Sequence, residues 1–346
     1  MTSNDITLIA PYKVGRNWIF APSTYLLDSW EPVIEEIYLP EISSKSGELS
    51  LKVVEKGVLN PAKVSFKASI KQFLLRDTPV EFIDEQKIIL DLRGYSPENI
   101  AHATTNHLPH ALYVKEYLSQ LGFPPPVLIF PESLPKYIEK IFVAVGFELR
   151  LTNSKVAGTI CKFEVTPRVS FRGVRHLIIK SQLSDTNFSD KIMDIGKDLP
   201  KKIFISRRST RCLSNEAEIE KFLSVRGYHK IYLEDYDILK QLAFVSLAEN
   251  IVAVHGAALG PLLLRTMYEM APIKLLELFS PGHMTNVYRM VTHQLGGRWV
   301  GVRGKLWPSI IKQAYYCLPK NVRKYSLVEF EVCLLSVEAA MDSIDM

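Results

Sequence analysis

Four short segments combine polar, charged and small residues in patterns that suit ligand binding or catalysis. One of them, HGAALGP, follows an apolar run at 251–254 and contains His255, Gly256, Ala257 and Ala258. Small residues let a backbone approach a ligand closely, and the final Pro261 suits the first turn of a helix. Because the N–H groups at a helix start favour phosphate, the segment indicates a phosphate site. The alternative is a tight turn in which the small residues only satisfy packing.

A second segment is rich in arginine and follows the apolar run at 202–205. It contains Ser206, Arg207, Arg208 and Arg211. Guanidinium groups bind phosphate oxygens in a bidentate manner, and Ser206 adds a hydroxyl donor. The segment therefore indicates another part of an anion site, with a solvated basic loop as the alternative.

The third segment, NIAHATTNHLPH at 99–110, contains three histidines and two asparagines. His102 and Asn106 are four positions apart, so they share one face of a helix. A histidine is suited to act as a general base because its ordinary pKa lies near neutrality. The segment has no HExxH pattern and no closely spaced carboxylate, which disfavours a metal site.

The fourth candidate is Glu277, a carboxylate inside the apolar run Lys274–Phe279. A buried charge needs a partner. Glu277 is therefore expected either to pair with another side chain or to accept hydrogen bonds from ligand hydroxyls. Ribose recognition by a carboxylate near a strand end is a known arrangement.

The segments that carry these residues alternate between strand and helix patterns, which favours an α/β fold with parallel sheets. In such sheets ligands lie outside the carboxyl ends of the strands. A polar stretch at 184–200 indicates a linker, and the pattern at 325–346 predicts one amphipathic helix. The predicted strands are 7–11, 80–83, 87–92, 127–130, 202–205, 230–233, 251–254 and 274–279, and the predicted helices are 99–121 (interrupted at Pro109), 134–145, 216–225, 238–247 and 260–270.

Composition narrows the class of protein. The chain has 346 residues, enough for about two domains. Hydrophobic residues make up 47% and charged residues 23%, which excludes a disordered, collagen-like or coiled-coil chain. The net charge of 42 − 37 = +5 suits an anionic ligand held by a few arginines and disfavours a nucleic-acid binder.

Cysteine spacing and hydropathy point to a cytoplasmic protein. The 4 cysteines form no CxxC pair and no zinc-ligand spacing, so we expect thiols in a reducing compartment. The first residues lack the apolar core of a signal peptide, and the apolar stretch at 242–264 is interrupted by Glu249 and His255. We therefore expect no membrane-spanning segment.

Taken together, the segments resemble glycosyltransferase family 61, over about half of the chain from residue 99 to 281. The pattern is Asn99-x-x-His102-x-x-x-Asn106-x-Leu108-Pro109, then Ser206-Arg207-x-x-x-Arg211-x-x-x-Asn215-Glu216, then His255-Gly256-Ala257-Ala258-Leu259, then Glu277-Leu278-Phe279. The resemblance implies a GT-B-like fold, in which two Rossmann-like domains face each other across a cleft. Residues 1–185 would form the acceptor-side α/β domain, and 186–346 the nucleotide-sugar-binding domain with a C-terminal helix.

The activity implied by the resemblance is inverting transfer of a hexose or pentose from a nucleotide sugar, usually a UDP-sugar, to a hydroxyl of a glycan acceptor. Surface polysaccharide (capsule) or other glycan biosynthesis is the implied setting, and a lipid-linked acceptor would place the protein at a membrane surface. Such enzymes need no metal cofactor, because positive groups and a helix start stabilise the leaving diphosphate. The sequence does not choose an oligomeric state.

The resemblance also implies residue roles. His102, with Asn106, would take the acceptor's proton. The donor would be bound by Ser206, Arg207, Arg211, His255, Gly256, Ala257, Ala258 and Glu277.

Two positions depart from the family pattern. Asn106 stands where Asp is common, which puts the base in doubt or shifts it to Glu98. Gly260-Pro261 stands where polar residues are common, which bears on donor specificity.

Three other interpretations stay open. One is a non-catalytic nucleotide- or glycan-binding member of the same fold, and another is a GT-B transferase of a different family. A nicotinamide-dependent oxidoreductase is disfavoured because no G-x-G-x-x-G follows a strand. A nucleic-acid role is disfavoured because aromatic residues do not interleave with basic ones.

Overall fold

The computed structural model describes residues 5–23, 33–60, 80–163, 171–306 and 327–346. The strands are β1 Asp5–Ile9, β2 Lys13–Val14, β3 Asn17–Pro22, β4 Ile34–Leu39, β5 Ile42–Ser43, β6 Gly47–Leu59, β7 Val80–Phe82, β8 Ile88–Asp91, β9 Val127–Phe130, β10 Leu149–Leu151, β11 Lys155–Phe163, β12 Lys202–Ile205, β13 His229–Ile231, β14 Asn250–Val254, β15 Lys274–Phe279 and β16 Arg298–Arg303. The α-helices are α1 Ile100–His102, α2 Leu108–Gln120, α3 Lys136–Ala144, α4 Arg175–Leu183, α5 Asn187–Gly196, α6 Glu216–Ser224, α7 Ile238–Leu247, α8 Val287–Gln294 and α9 Leu334–Ser343. A π-helical turn, Ala103–His107, joins α1 to α2, and 3₁₀-helices cover Phe171–Gly173, Leu233–Asp235 and Ala257–Met267.

Contacts group the chain into two compact units. The first contains Met1–Tyr12, Ser44–Lys191 and Thr266–Tyr268, and the second contains Lys13–Ser43, Ile192–Arg265 and Glu269–Met346. The domain limits 1–185 and 186–346 stay a prediction. The placement of Lys13–Ser43 in the second unit is a feature that no local pattern indicated.

The first unit is built on a mixed sheet with strand order β1-β6-β11-β8-β9-β10, and β7 also pairs with β11. Strands β8, β9 and β10 are parallel to their neighbours, while β6 runs antiparallel to β1 and β11. The strands predicted at 80–83, 87–92 and 127–130 are confirmed, and the one predicted at 7–11 lies two residues earlier. The helix predicted at 134–145 is confirmed as α3.

The predicted helix at 99–121 is interrupted near Pro109, as expected, but by a π turn rather than by a break. In that turn the Leu108 N–H bonds the carbonyl of Ala103, five residues back. A proline has no N–H to donate and its ring displaces the preceding turn. The π turn therefore accommodates Pro109 in the first turn of α2 and keeps the helix continuous.

The polar stretch at 184–200 was predicted to be a linker or hinge. The boundary between the two units does fall within it, between Lys191 and Ile192, but the prediction of an irregular linker is wrong because residues Asn187–Gly196 form helix α5. Phe188 and Ile192, four positions apart, are both buried, so the stretch has an apolar helical face despite its polar composition.

The second unit contains a sheet with strand order β13-β12-β14-β15-β16-β3-β4. All neighbours in it are parallel except β3 and β4. The first five strands follow the doubly wound order 2-1-3-4-5, in which the direction of winding reverses where β12 meets β14. This reversal, the switch point, is where such sheets bind ligands.

The core of the second unit explains its apolar sequence runs. Strands β14 and β15 are buried along nearly their whole length, as parallel strands covered on both faces must be. Phe204, Val252 and Leu276 pack in one cluster with Val337 and Met341 of α9. The predicted C-terminal helix is therefore confirmed over Leu334–Ser343 only, and residues 325–326 lie outside the described residues.

The remaining predicted elements differ from the observed ones mainly in where they begin and end. The strands at 202–205 and 274–279 and the helix at 238–247 are confirmed to the residue. The helix predicted at 260–270 begins instead at Ala257 and is a 3₁₀-helix that contains Pro261. Within the described ranges, no helix has the length and apolar character needed to cross a membrane.

Candidate functional site

Three loops come together at the carboxyl edge of the second sheet. Ser206 follows β12, His255 follows β14, and Ser280 follows β15. The strand register places Ile205 opposite Ala253, and Val254 opposite Leu278. The first two loops therefore flank the switch point, and the third lies beside them.

Arg207 connects the two loops at the switch point. Its Nη1 donates to the carbonyl oxygen of His255 at 3.3 Å, and its Nη2 donates to Thr210 Oγ1 at 3.3 Å. A methyl group on Gly256 would overlap Arg207 Nη1, so a side chain at that position would displace the guanidinium. Two sequence segments that are almost 50 residues apart thus form one site.

Arg211 is held in an unusual backbone conformation. Its φ is 58°, in the left-handed region, which costs a non-glycine residue about 1–3 kcal/mol. Its N–H bonds the carbonyl of Leu327 at 3.1 Å, which fixes the loop. Its Nε is buried without a hydrogen-bond partner among the described residues. Strain of this kind clusters at ligand-binding sites.

Arg207 and Arg211 carry positive charge without an ion-pair partner in the described part of the chain, although the negative charge of Glu234 acts on Arg207 from a greater distance. Within the part of the chain that the structure describes, neither has a carboxylate at ion-pair distance. Burial lowers the pKa of Arg207, and burial together with the charge of Arg207 lowers the pKa of Arg211. Arg208 differs: it is exposed, pairs with Asp235, and lies over the Tyr232 ring. The solvated-loop alternative therefore describes Arg208 but not its two neighbours.

Glu277 is completely buried beneath this site. One carboxylate oxygen bonds His255 Nδ1, and the other accepts a hydrogen bond from Trp299 Nε1 at 2.9 Å. Both oxygens are thus engaged within the protein, and a hydrogen bond to a ligand hydroxyl would require one of them to be released. The carboxylate keeps a proton on His255 Nδ1, which leaves Nε2 as the ring nitrogen that can meet a ligand.

Aromatic rings surround His255. It stacks on Phe279, with ring centroids 5.1 Å apart, and is flanked by His283 at 5.2 Å and Tyr288 at 5.8 Å. Tyr288 is buried, whereas His283 is half-buried. Burial lowers the pKa of His283, and the nearby His255 and Arg211 lower it further.

Several hydroxyl groups at this edge are buried without a partner. Ser206 Oγ, Ser280 Oγ and Thr285 Oγ1 have no hydrogen bond among the described residues. Buried polar groups in proteins are nearly always bonded. A bound ligand with several oxygen atoms would satisfy them, together with the first N–H groups of the 3₁₀-helix that starts at Ala257.

Sequence reasoning missed Ser280, His283, Thr285, Tyr288 and Trp299. The first three follow strand β15 directly, so the carboxyl-end rule that drew attention to Ser206 and His255 would have found them. Tyr288 lies on α8, and Trp299 lies on β16 next to Leu275 of β15. Neither α8 nor β16 was predicted, so no local pattern pointed to these two residues.

His102 and Asn106 lie in the first unit, both half-buried on the α1–π–α2 segment. Asn99 caps this segment, since its Oδ1 accepts from the Ala101 N–H at 2.9 Å. Asn106 Nδ2 lies 3.3 Å from His102 Nδ1. In this orientation the amide donates, so the proton of a neutral His102 ring is on Nε2. A base role requires the amide to present Oδ1 to His102 instead.

The other two histidines of the segment are core residues. Burial lowers the pKa of His107 to about 4 and that of His110 to about 3, so both are neutral at pH 7. His110 stacks on Phe171 with ring centroids 4.1 Å apart. Among residues that the structure describes, no three histidine, cysteine or acidic side chains form a metal-ligand cluster. Whether the protein uses a metal stays a prediction.

The fold and the site together define a class: an α/β protein that brings Arg207, Arg211 and His255 to the switch point of a doubly wound sheet. The model of the family "Glycosyltransferase 61" matches residues 100–271, about half of the chain. The chain therefore belongs to glycosyltransferase family 61, as the resemblance indicated. The match extends over His102, Arg207, Arg211 and His255, whereas Glu277 and His283 lie beyond it. None of the curated proteins matches this chain.

Proposed function

We propose that the protein is an inverting glycosyltransferase that moves a sugar from a nucleotide sugar, a UDP-sugar as first choice, to a hydroxyl of a glycan acceptor. One observation carries the proposal. Arg207 and Arg211 are half-buried, have no ion-pair partners among the described residues, and lie with His255 and a helix start at the switch point. A diphosphate supplies the negative charge and the oxygen atoms that this arrangement lacks.

The donor side of the reaction requires stabilisation of the leaving nucleotide. As the bond from the anomeric carbon to the phosphate oxygen breaks, the electron pair and negative charge pass to the diphosphate. Arg207, Arg211 and the N–H groups of Ala257 and Ala258 would stabilise that charge without a metal ion. Each preorganised donor of this kind contributes about 2.7–4 kcal/mol.

In this proposal Glu277 positions His255 rather than binding ribose. The bonds from His255 and Trp299 occupy both of its oxygens, and its side chain is fully buried. The carboxylate accepts the hydrogen bond from Nδ1 and so orients the imidazole with Nε2 available to a ligand.

We further propose that the first unit binds the acceptor, and that the two units form the two domains of a GT-B fold. The acceptor oxygen attacks the anomeric carbon while its proton passes to His102 Nε2, which is free to accept it once the Asn106 amide turns to present Oδ1 to the Nδ1 proton. Glu98 is the second candidate for this base. Surface polysaccharide or glycan biosynthesis is the proposed setting. The protein would act in the cytoplasm or at a membrane surface through a lipid-linked acceptor.

The experiment that tests the donor site compares Arg207→Gln with Arg208→Gln. UDP, GDP, CDP and ADP are titrated calorimetrically into each protein, and thermal unfolding checks the fold. We expect Arg207→Gln to weaken binding of the preferred nucleotide about 10- to 100-fold, because a charged hydrogen bond contributes about 1.5–3 kcal/mol. Arg208→Gln should leave binding unchanged, since Arg208 pairs with exposed Asp235. Equal effects of the two substitutions would refute the proposed site.

Asn106 favours a second candidate function, a non-catalytic member that binds a nucleotide or glycan. As oriented in the structure, Asn106 leaves the His102 Nε2 protonated, which disfavours a base role. A carboxylate in place of this amide would accept the Nδ1 proton and free Nε2.

This difference yields a prediction. Asn106→Asp should raise the turnover number for UDP-sugar transfer, and His102→Ala should lower it at least about a hundredfold. The double substitution tests whether Asn106→Asp acts through His102. In a protein that carries His102→Ala, Asn106→Asp should not raise the turnover number. A wild-type protein that binds UDP-sugars but neither transfers nor hydrolyses them, even after Asn106→Asp, would be the non-catalytic member.

A further inference from the structure

We propose that His283 is an additional phosphate-binding residue of the donor site, and that its imidazole takes up a proton when the nucleotide diphosphate binds. The inference rests on the proposed function, because it needs a diphosphate at Arg207 and Arg211. It adds a residue outside the region that the family model matches.

Geometry places His283 next to the proposed anion. The residue lies in the loop between β15 and α8, where its N–H bonds the carbonyl of Ser280 at 3.0 Å and turns the loop back. Its ring centroid is 5.2 Å from that of His255, and the charge of Arg211 acts on it. The loop thus brings a titratable side chain beside the two residues.

His283 is uncharged in the free protein at neutral pH. Burial disfavours its protonated form, and the two groups that act on it, His255 and Arg211, disfavour it further. The neighbouring elements contribute no acid that acts on His283 directly: Glu277 on β15 bonds His255, and Tyr288 on α8 packs against His255. The free site therefore holds a neutral imidazole next to positive charge.

A bound diphosphate reverses this balance. Its negative charges lie among the same cations, so they favour the imidazolium form of His283. The pKa of His283 in the complex then exceeds its pKa in the free protein. A proton is taken up at any pH between these two values, and affinity for the nucleotide rises as pH falls through that window. Below the lower pKa both states are protonated, and affinity levels off.

Calorimetry measures this proton uptake directly. UDP is titrated into the full-length protein at several values from about pH 5.5 to pH 8, in buffers of different ionisation enthalpy, which reveals the number of protons exchanged. The terminal phosphate of UDP itself titrates near pH 6. This contribution is common to all variants, so the comparison of the wild type with His283→Gln isolates His283. His293→Gln, an exposed histidine on α8, is the matched control.

We expect the wild type and His293→Gln to take up more protons than His283→Gln in the window. As the pH falls through the window, the UDP affinity of these two proteins should rise more steeply than that of His283→Gln. The difference should be at most about tenfold per pH unit. In the wild type, the ¹³C-labelled imidazole resonance of His283, assigned by its absence from the variant, should titrate at higher pH with UDP than without it.

The outcomes distinguish this inference from the proposed function. If UDP binds but proton uptake is the same in wild type and His283→Gln, and the His283 resonance titrates unchanged, the inference is wrong while the donor site stands. If neither a nucleoside diphosphate nor inorganic pyrophosphate binds the wild type, the proposed function fails and this inference fails with it. The resonance itself is measured in the wild type, and thermal unfolding of His283→Gln confirms that the variant used to assign it is folded.

Discussion

A backbone carbonyl, rather than a carboxylate, is the partner of Arg207 at the switch point. The bond to the His255 carbonyl orients the guanidinium but leaves its charge uncompensated. Neighbouring Arg208 forms an ion pair on the surface and contributes little to an anion site. Local composition presents the three arginines of this segment as equivalent, and only the resemblance to the family singles out Arg207 and Arg211. The difference arises because each one meets different groups in the folded protein.

The prediction at residue scale concerns the buried pair of His255 and Glu277. Glu277→Gln replaces the charged acceptor of the His255 hydrogen bond with a neutral amide, so that His255 is held less firmly. We expect UDP affinity to fall about tenfold, since a charged hydrogen bond contributes about 1.5–3 kcal/mol. Trp299→Phe keeps the His255 contact, so UDP affinity should change less than about threefold. It leaves one Glu277 oxygen without a donor and should reduce the free energy of unfolding by about 1–3 kcal/mol. Calorimetry and chemical denaturation measure the two effects, and an unchanged UDP affinity in Glu277→Gln would contradict the pairing role.

At the scale of elements, the site depends on how closely two loops approach. Gly256 follows β14 directly, and its missing side chain leaves the space that Arg207 Nη1 occupies. The preceding strand and the following 3₁₀-helix fix the loop on both sides. The need for small residues in this segment was visible in the sequence, but the group that fills the space was not.

We therefore predict that Gly256→Ala displaces Arg207 and weakens UDP binding at least about tenfold, the loss expected for one charged hydrogen bond. Thermal unfolding should change little by comparison, because Arg207 is a flexible side chain. Gly15→Ala is the control, since a methyl group there meets the His293 ring at an ordinary contact distance of 3.6 Å. Retained UDP affinity in Gly256→Ala would show that the Arg207 position is not required.

At the scale of the whole molecule, a segment from the first fifty residues completes the second unit. Strand β3 pairs with β16, and β4 pairs with β3. Arg289 of α8 is buried and fastens this segment: it donates to Asn17 Oδ1 at 2.8 Å, to the Gly15 carbonyl at 2.7 Å and to the Pro40 carbonyl at 2.6 Å. The second unit therefore requires pieces of chain that are more than 240 residues apart.

This fastening yields a stability prediction. Arg289→Met should reduce the free energy of unfolding by about 2–4 kcal/mol, because it removes three hydrogen bonds that a buried guanidinium makes to the N-terminal segment. Arg298→Met is the control, since Arg298 forms an exposed pair with Asp345 whose loss should cost less than about 1 kcal/mol. Denaturant unfolding of both variants measures the difference. If the two variants unfold with equal free energy, the N-terminal segment is held by sheet pairing alone.

The sequence by itself determined the alternation of strands and helices, the loops that follow β12 and β14, and membership of the family. These features are local: apolar periodicity, turn residues and motif spacing are all read within short windows. It failed at 184–200, where polar composition hid the apolar face formed by Phe188 and Ile192.

Only the tertiary structure decided which distant groups meet. It gave Glu277 its partners His255 and Trp299, placed His283 beside His255, and inserted β3 and β4 into the second sheet. Pairing of this kind depends on the complete packing of strands and helices, because a side chain's local pattern specifies that it will be buried but not what it will contact.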